Sequence, residues 1–122
     1  MTQEITDFFE KFKKDTGKMK KQTGDMINGF GNLFSNVMNE GAITALEKEL
    51  VAVGIATAIQ CEPCIKLHVK KCLDAGATKE QVLEAACVAV MMSGGPAYTH
   101  IPMVIDTLET LTEQSQLLSR SA

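Results

Sequence analysis

The sequence predicts an all-α protein, and three observations predict it. Apolar residues recur at three- and four-residue spacing through most of the chain, the period of a helix with one buried face. No segment alternates apolar and polar residues as a half-buried strand does. Ala, Val, Leu, Ile and Met supply most of the 45% apolar content, with 5% aromatic residues and no Trp, which suits close helix packing better than a sandwich of sheets. The 122 residues fit one domain. A formal charge of −3 is too mild to point to nucleic acid or an anionic membrane as the main partner.

Taken in order, the first element places Ile5, Phe8, Phe9 and Phe12 at helical spacing with charges between them. Glu4, Asp7 and Glu10 balance its lysines, which argues against a membrane-surface helix. The polar stretch Asp15 to Asp25, with two Gly and three Lys, reads as a linker or frayed helix. Met26, Ile27, Phe30, Leu33, Phe34, Val37 and Met38 make a second apolar stripe, which Gly41 ends. All five Phe lie in the first 34 residues. This third of the chain is either an arm packed on the main body or on another subunit, or a plain extension of one core. The division expected is an arm over 1–40, a main domain over 41–115 and a loose polar tail over 116–122.

The main domain opens at Thr44, which with Glu47 fits a capping box. The helix runs to about Gln60, and its second half is apolar on every side, so burial all round is expected. The next helix starts near Cys61–Pro63, where Pro suits the first turn, and Gly76 stops it. Thr78 and Gln81 form another capping box before the apolar run holding Cys87, which reads as core. Gly94, Gly95 and Pro96 break the chain, and a last helix covers roughly Ala97 to Glu113. His100, after that break, reads as a surface or capping residue. No apolar secretory segment is visible at the N-terminus, and the longest nearly uncharged stretch is too short to span a bilayer, so a cytoplasmic protein without a membrane role is expected. Four cysteines in a reducing compartment are core residues, metal ligands or redox thiols rather than a structural framework.

Chemistry concentrates at Cys61, Cys64 and His68. On one helix these fall within an arc of about 60°, and Cys64 and His68 are an i, i+4 pair. Cys61 and Cys64 are close enough at a helix start to form a disulfide. The unpaired N–H groups and dipole there favour an anion, hence a thiolate, the reactive form of cysteine. If the flanking helices turn back near Gln60, Glu49 comes level with His68 to Lys71, where a carboxylate could orient the imidazole or take a proton. Glu47 points elsewhere and serves the cap. Three readings stand together: a redox dithiol, a zinc site extended by Cys72, and buried core thiols. Against zinc, Cys64 and Cys72 lie about 12 Å apart along a straight helix, too far for one ion with ligands at about 2.3 Å. Cys72 reads as a packed thiol.

The pattern Glu49-x11-Cys61-x2-Cys64-x3-His68 resembles the active-site signature of the AhpD-like alkyl hydroperoxidases of the carboxymuconolactone decarboxylase family, over roughly residues 40–113. The resemblance implies an AhpD-like helical domain in which a central antiparallel helix hairpin carries the CxxC site, and homo-oligomers, often trimers or hexamers. It implies a thiol-dependent peroxidase in which Cys64 attacks a hydroperoxide, Cys61 resolves the sulfenic acid, and His68 with Glu49 relays protons. It implies no metal and no bound organic cofactor. An external dithiol, a lipoyl group or a thioredoxin-like protein, would act as reductant. One departure bears on activity: where AhpD has a relay histidine directly before the second cysteine, this chain has Pro63, which transfers no proton. A disulfide oxidoreductase or redox carrier is therefore the alternative. A lactone decarboxylase, whose branch lacks the CxxC pair, and a non-catalytic helical assembly protein rank below both.

Overall fold

The structure, a computed structural model, describes residues 2–121. Seven helices make up the fold among the described residues, with no strand: α1 Thr2–Thr23, α2 Asp25–Met38, α3 Ala45–Ala58, α4 Glu62–Asp74, α5 Lys79–Ser93, α6 Gly95–Tyr98 and α7 Ile101–Ser121. Helix α3 packs on both α4 and α5, and α7 closes the core against α4. Val53 of α3, Ile65, Val69 and Cys72 of α4, Val82 of α5, and Val104 and Leu108 of α7 fill that core.

The caps form at the residues that predict them. Thr44 accepts from the Glu47 N–H while Glu47 accepts from the Thr44 N–H, and Thr78 and Gln81 do the same for α5. The Thr44 bonds hold the Glu47 carboxyl below the usual carboxylate range. Helix α4 ends in a Schellman turn: Gly76 takes φ 97°, its N–H reaches Leu73 O and the Ala77 N–H reaches Cys72 O. On the other side of α3, the α5 backbone comes so near that a Cβ on Gly54 would lie 3.2 Å from Ala85 O.

Four expectations are corrected. The polar stretch Asp15 to Asp25 is no linker: α1 continues to Thr23, and the break is Gly24 with φ 53°. An i, i+4 ion pair between Lys11 and Asp15 supports the helix while it stays solvated, and the Thr16 and Thr23 hydroxyls donate to carbonyls four residues back. Beyond Gln114 the chain is helical through Ser121, and Gln114 donates to Thr6 Oγ1 at 2.9 Å, tying α7 to α1. The last helix divides in two around Thr99 and His100. His100 Nδ1 reaches the Pro96 carbonyl at 2.7 Å and so caps the short α6, the local role its position suggests.

The fourth concerns the all-apolar helices. Val51, Ile55 and Ile59 are 54, 56 and 65% exposed, and Cys87 is exposed beside Val88 and Met91. Helices α3 and α5 bury the sides turned to α4 and α7, and among the described residues no other element covers the opposite sides. A helix apolar all round carries no periodicity to say which side is left open.

Candidate functional site

The α3–α4 turn delivers both cysteines to one helix end. Helix α3 closes with a second Schellman turn, in which the Gln60 N–H reaches Thr57 O and the Cys61 N–H reaches Ala56 O at 3.0 Å. Gln60 takes φ 59° there, the position that Gly76 holds in the equivalent turn after α4. A residue with a Cβ costs about 1 kcal/mol in that conformation. The turn places Cys61 at the N-cap of α4, with Pro63 in the first turn where its missing N–H leaves no bond unmade.

Cys61 and Cys64 are joined by a disulfide, with Cα atoms 5.2 Å apart. The Cys64 N–H also points to Cys61 Sγ at 3.3 Å, so the sulfur does the capping that an oxygen does elsewhere. Both cysteines are part-exposed, at the end of α4 where free N–H groups favour negative charge.

One turn along α4, His68 Nδ1 lies 2.7 Å from Oε1 of Glu49, with side chains 18 and 11% exposed. The carboxylate accepts, so Nδ1 carries the proton and Nε2 is left as the second functional nitrogen. The hairpin of α3 and α4 thus brings Glu49, Cys61, Cys64 and His68 into one region, at the level the helix count expects for Glu49. Cys72 is fully buried behind them. Burial, and next the charge of Glu49, push its thiol up to about 12, which leaves it inert.

Sequence reasoning missed what lies over the histidine. The Phe34 ring of α2 stacks on His68, centroids 6.0 Å apart and planes 20° apart. Lys71 sets Nζ 4.5 Å from the same Phe34 centroid, and Lys66 sets its own 4.6 Å from the Phe8 centroid. The stripe containing Phe34 is visible in the sequence, but nothing in it says which helix it meets.

The chain matches the carboxymuconolactone decarboxylase family model over residues 25–101, which takes in α2 as well as the site. It is 35% identical over 95 residues to the "Uncharacterized protein 4 in cox locus" of Paracoccus denitrificans, covering 78% of this chain and 86% of that one. It is 37% identical over 59 residues to the alkyl hydroperoxide reductase AhpD of Corynebacterium kroppenstedtii, covering 48% of this chain but 34% of AhpD. Its fold is similar to the crystal structure of a carboxymuconolactone decarboxylase family protein from Legionella pneumophila, with a TM-score of 0.82 and 28% identity over 87% of this chain and 95% of that one. With a match over most of its length, and the helical hairpin bearing Cys61 and Cys64, the chain belongs to the carboxymuconolactone decarboxylase family.

Proposed function

We propose that the protein is a thiol-dependent peroxidase of the AhpD type. The observation that carries this reading is a part-exposed Cys61–Cys64 pair at a helix N-terminus, one turn from a histidine held by a carboxylate. The Cys64 thiolate attacks the O–O bond of a hydroperoxide. That bond breaks, sulfur gains one oxygen as a sulfenic acid, and the alkoxide leaves as an alcohol after taking a proton. The Cys61 thiol then displaces the sulfenic oxygen as water and forms the disulfide. An external dithiol, lipoyl or on a thioredoxin-like protein, reduces that disulfide by exchange and is itself oxidised. His68 Nε2, on an imidazole fixed by Glu49, takes and returns the protons.

Mass spectrometry after one equivalent of an organic hydroperoxide tests it. Wild type is expected to lose two hydrogens as the Cys61–Cys64 disulfide. Cys61→Ser is expected to gain one oxygen on Cys64, and Cys64→Ser to abolish turnover with a dithiol. Turnover unchanged in Cys64→Ser would sink the mechanism.

Pro63 favours a second reading, a disulfide oxidoreductase that exchanges with dithiols but consumes little peroxide, because exchange asks less of a proton donor beside Cys64. Fast reduction by a dithiol, with no oxidation by hydroperoxide, would select it.

The apolar groove between α3 and α5, edged by the exposed Val51, Ile55, Val88 and Met92, supports a homo-oligomer with a second copy on that face. Light scattering is expected to give a multiple of the chain mass for wild type and a smaller one for Ile55→Glu. An unchanged mass in the variant would place the contact elsewhere.

A further inference from the structure

The reading above uses α3 and α4 alone, yet the imidazole of His68 is also touched from α2. Phe34 is part-buried against it, whereas Met26, Phe30, Leu33 and Val37 of the same helix are 80, 68, 58 and 53% exposed. Helix α2 has no buried residue, so burial alone does not fix its seat. Its C-terminal end is held by Lys48 of α3, whose ammonium donates to the carbonyl oxygens of Val37 and Asn39 at 2.7 Å each. A cation on the open carbonyls of a helix end gains both hydrogen bonds and the dipole. Consecutive residues of α3 therefore tie it to two partners: Lys48 to α2, Glu49 to the histidine of α4.

We propose that Phe34 is a positioning residue for the His68–Glu49 relay, so that α2 forms part of the site. The inference rests on the relay proposed above. The Glu49 bond fixes Nδ1 but leaves the ring able to pivot about that bond. A nearly parallel aromatic face, itself flanked by Lys71, limits the pivot and keeps Nε2 in one orientation. The same ring removes water from that face of the imidazole, which strengthens the Glu49 contact by lowering the local dielectric. Small displacements of a proton-transfer group cost rate out of proportion to their size, so losing the ring slows the chemistry by about 10-fold.

Single-turnover oxidation of the fully reduced protein by cumene hydroperoxide, followed as Cys61–Cys64 disulfide formation, tests this. Phe34→Ala and Phe34→Leu are both expected to fall about 10-fold. Phe34→Leu keeps apolar packing and the wild-type melting temperature, which separates orientation from folding. Phe34→Tyr, which keeps the aromatic face, is expected to recover most of the rate. In a His68→Ala background, Phe34→Ala is expected to add no further loss. The His68 ring-proton resonances are expected to move in Phe34→Leu and to return towards wild type in Phe34→Tyr, as a ring current requires. A slowed His68→Ala beside wild-type rates in Phe34→Ala and Phe34→Leu overturns this inference alone. A wild-type rate in His68→Ala overturns the relay and this inference with it. No disulfide from hydroperoxide in the wild type overturns the peroxidase reading and this inference together.

Discussion

His68→Ala is expected to lower stability by about 2 kcal/mol and to slow peroxide-driven disulfide formation by about 100-fold. The stability loss comes from the partner left behind. Glu49 is 9% exposed, and its carboxylate meets the His68 ring nitrogen at 2.7 Å. Without the imidazole, a carboxylate stays in an apolar setting between Leu46 and Val53 with that bond unmade, and an unsatisfied buried acceptor costs more than the bond was worth. Glu49→Gln separates the two effects. The amide oxygen still accepts from Nδ1, so most of the stability stays, but the carboxylate charge beside the proton-carrying imidazole is gone, and the rate falls. Denaturant unfolding and single-turnover kinetics on the two variants check this. Equal stability losses in both would mean that charge, not the hydrogen bond, holds the pair. No rate change in either would remove both side chains from the chemistry.

How far this pair was legible in sequence depends on local rules. Thr44 with Glu47 and Pro63 in its first turn mark where α3 and α4 begin, and a helix of known pitch then sets Glu49 level with His68. Nothing long-range is needed for that step. The α3–α4 turn was harder to read, because Gln60 takes a left-handed conformation usually reserved for Gly, and only the helices on either side force it. Phe34 was legible as apolar and not as a neighbour of His68, since its place depends on how α2 is seated, and Lys48 does that from another helix. Cys87 and Ile55 failed for the opposite reason. Their helices are apolar on every side, so the hydrophobic pattern that normally identifies the buried face is flat.

Cys72 should make the folded protein lose stability in alkali, by about 4 kcal/mol in all. In the unfolded chain a thiol gives up its proton around its ordinary value of 9.0, whereas in the fold Cys72 holds it up to about 12. Between those values the native state keeps one proton that the unfolded state has lost, so unfolding releases a proton and is favoured by rising pH. The contribution is present in full below about pH 9 and is lost at about 1.4 kcal/mol per pH unit as pH climbs towards 12. Cys72→Ala removes the titrating group and leaves a small cavity worth about 1 kcal/mol. The variant is therefore expected to be the less stable protein at pH 7, to match wild type near pH 10, and to exceed it above. Denaturant unfolding of both, with Cys61–Cys64 kept oxidised and Cys87→Ser in each to prevent exchange, measures the two curves. Curves that stay parallel from pH 8 to 11 would show that the buried thiol ionises as easily as a free one. Glu49 lies behind part of the effect, because its charge is the second cause that opposes a thiolate at Cys72. Glu49→Gln should bring the upper end of the alkaline window down while leaving its lower end, set by the unfolded chain, in place. The same carboxylate would then hold the reactive histidine in position and keep the neighbouring thiol protonated, which takes Cys72 out of the thiol chemistry of the pair at the helix end.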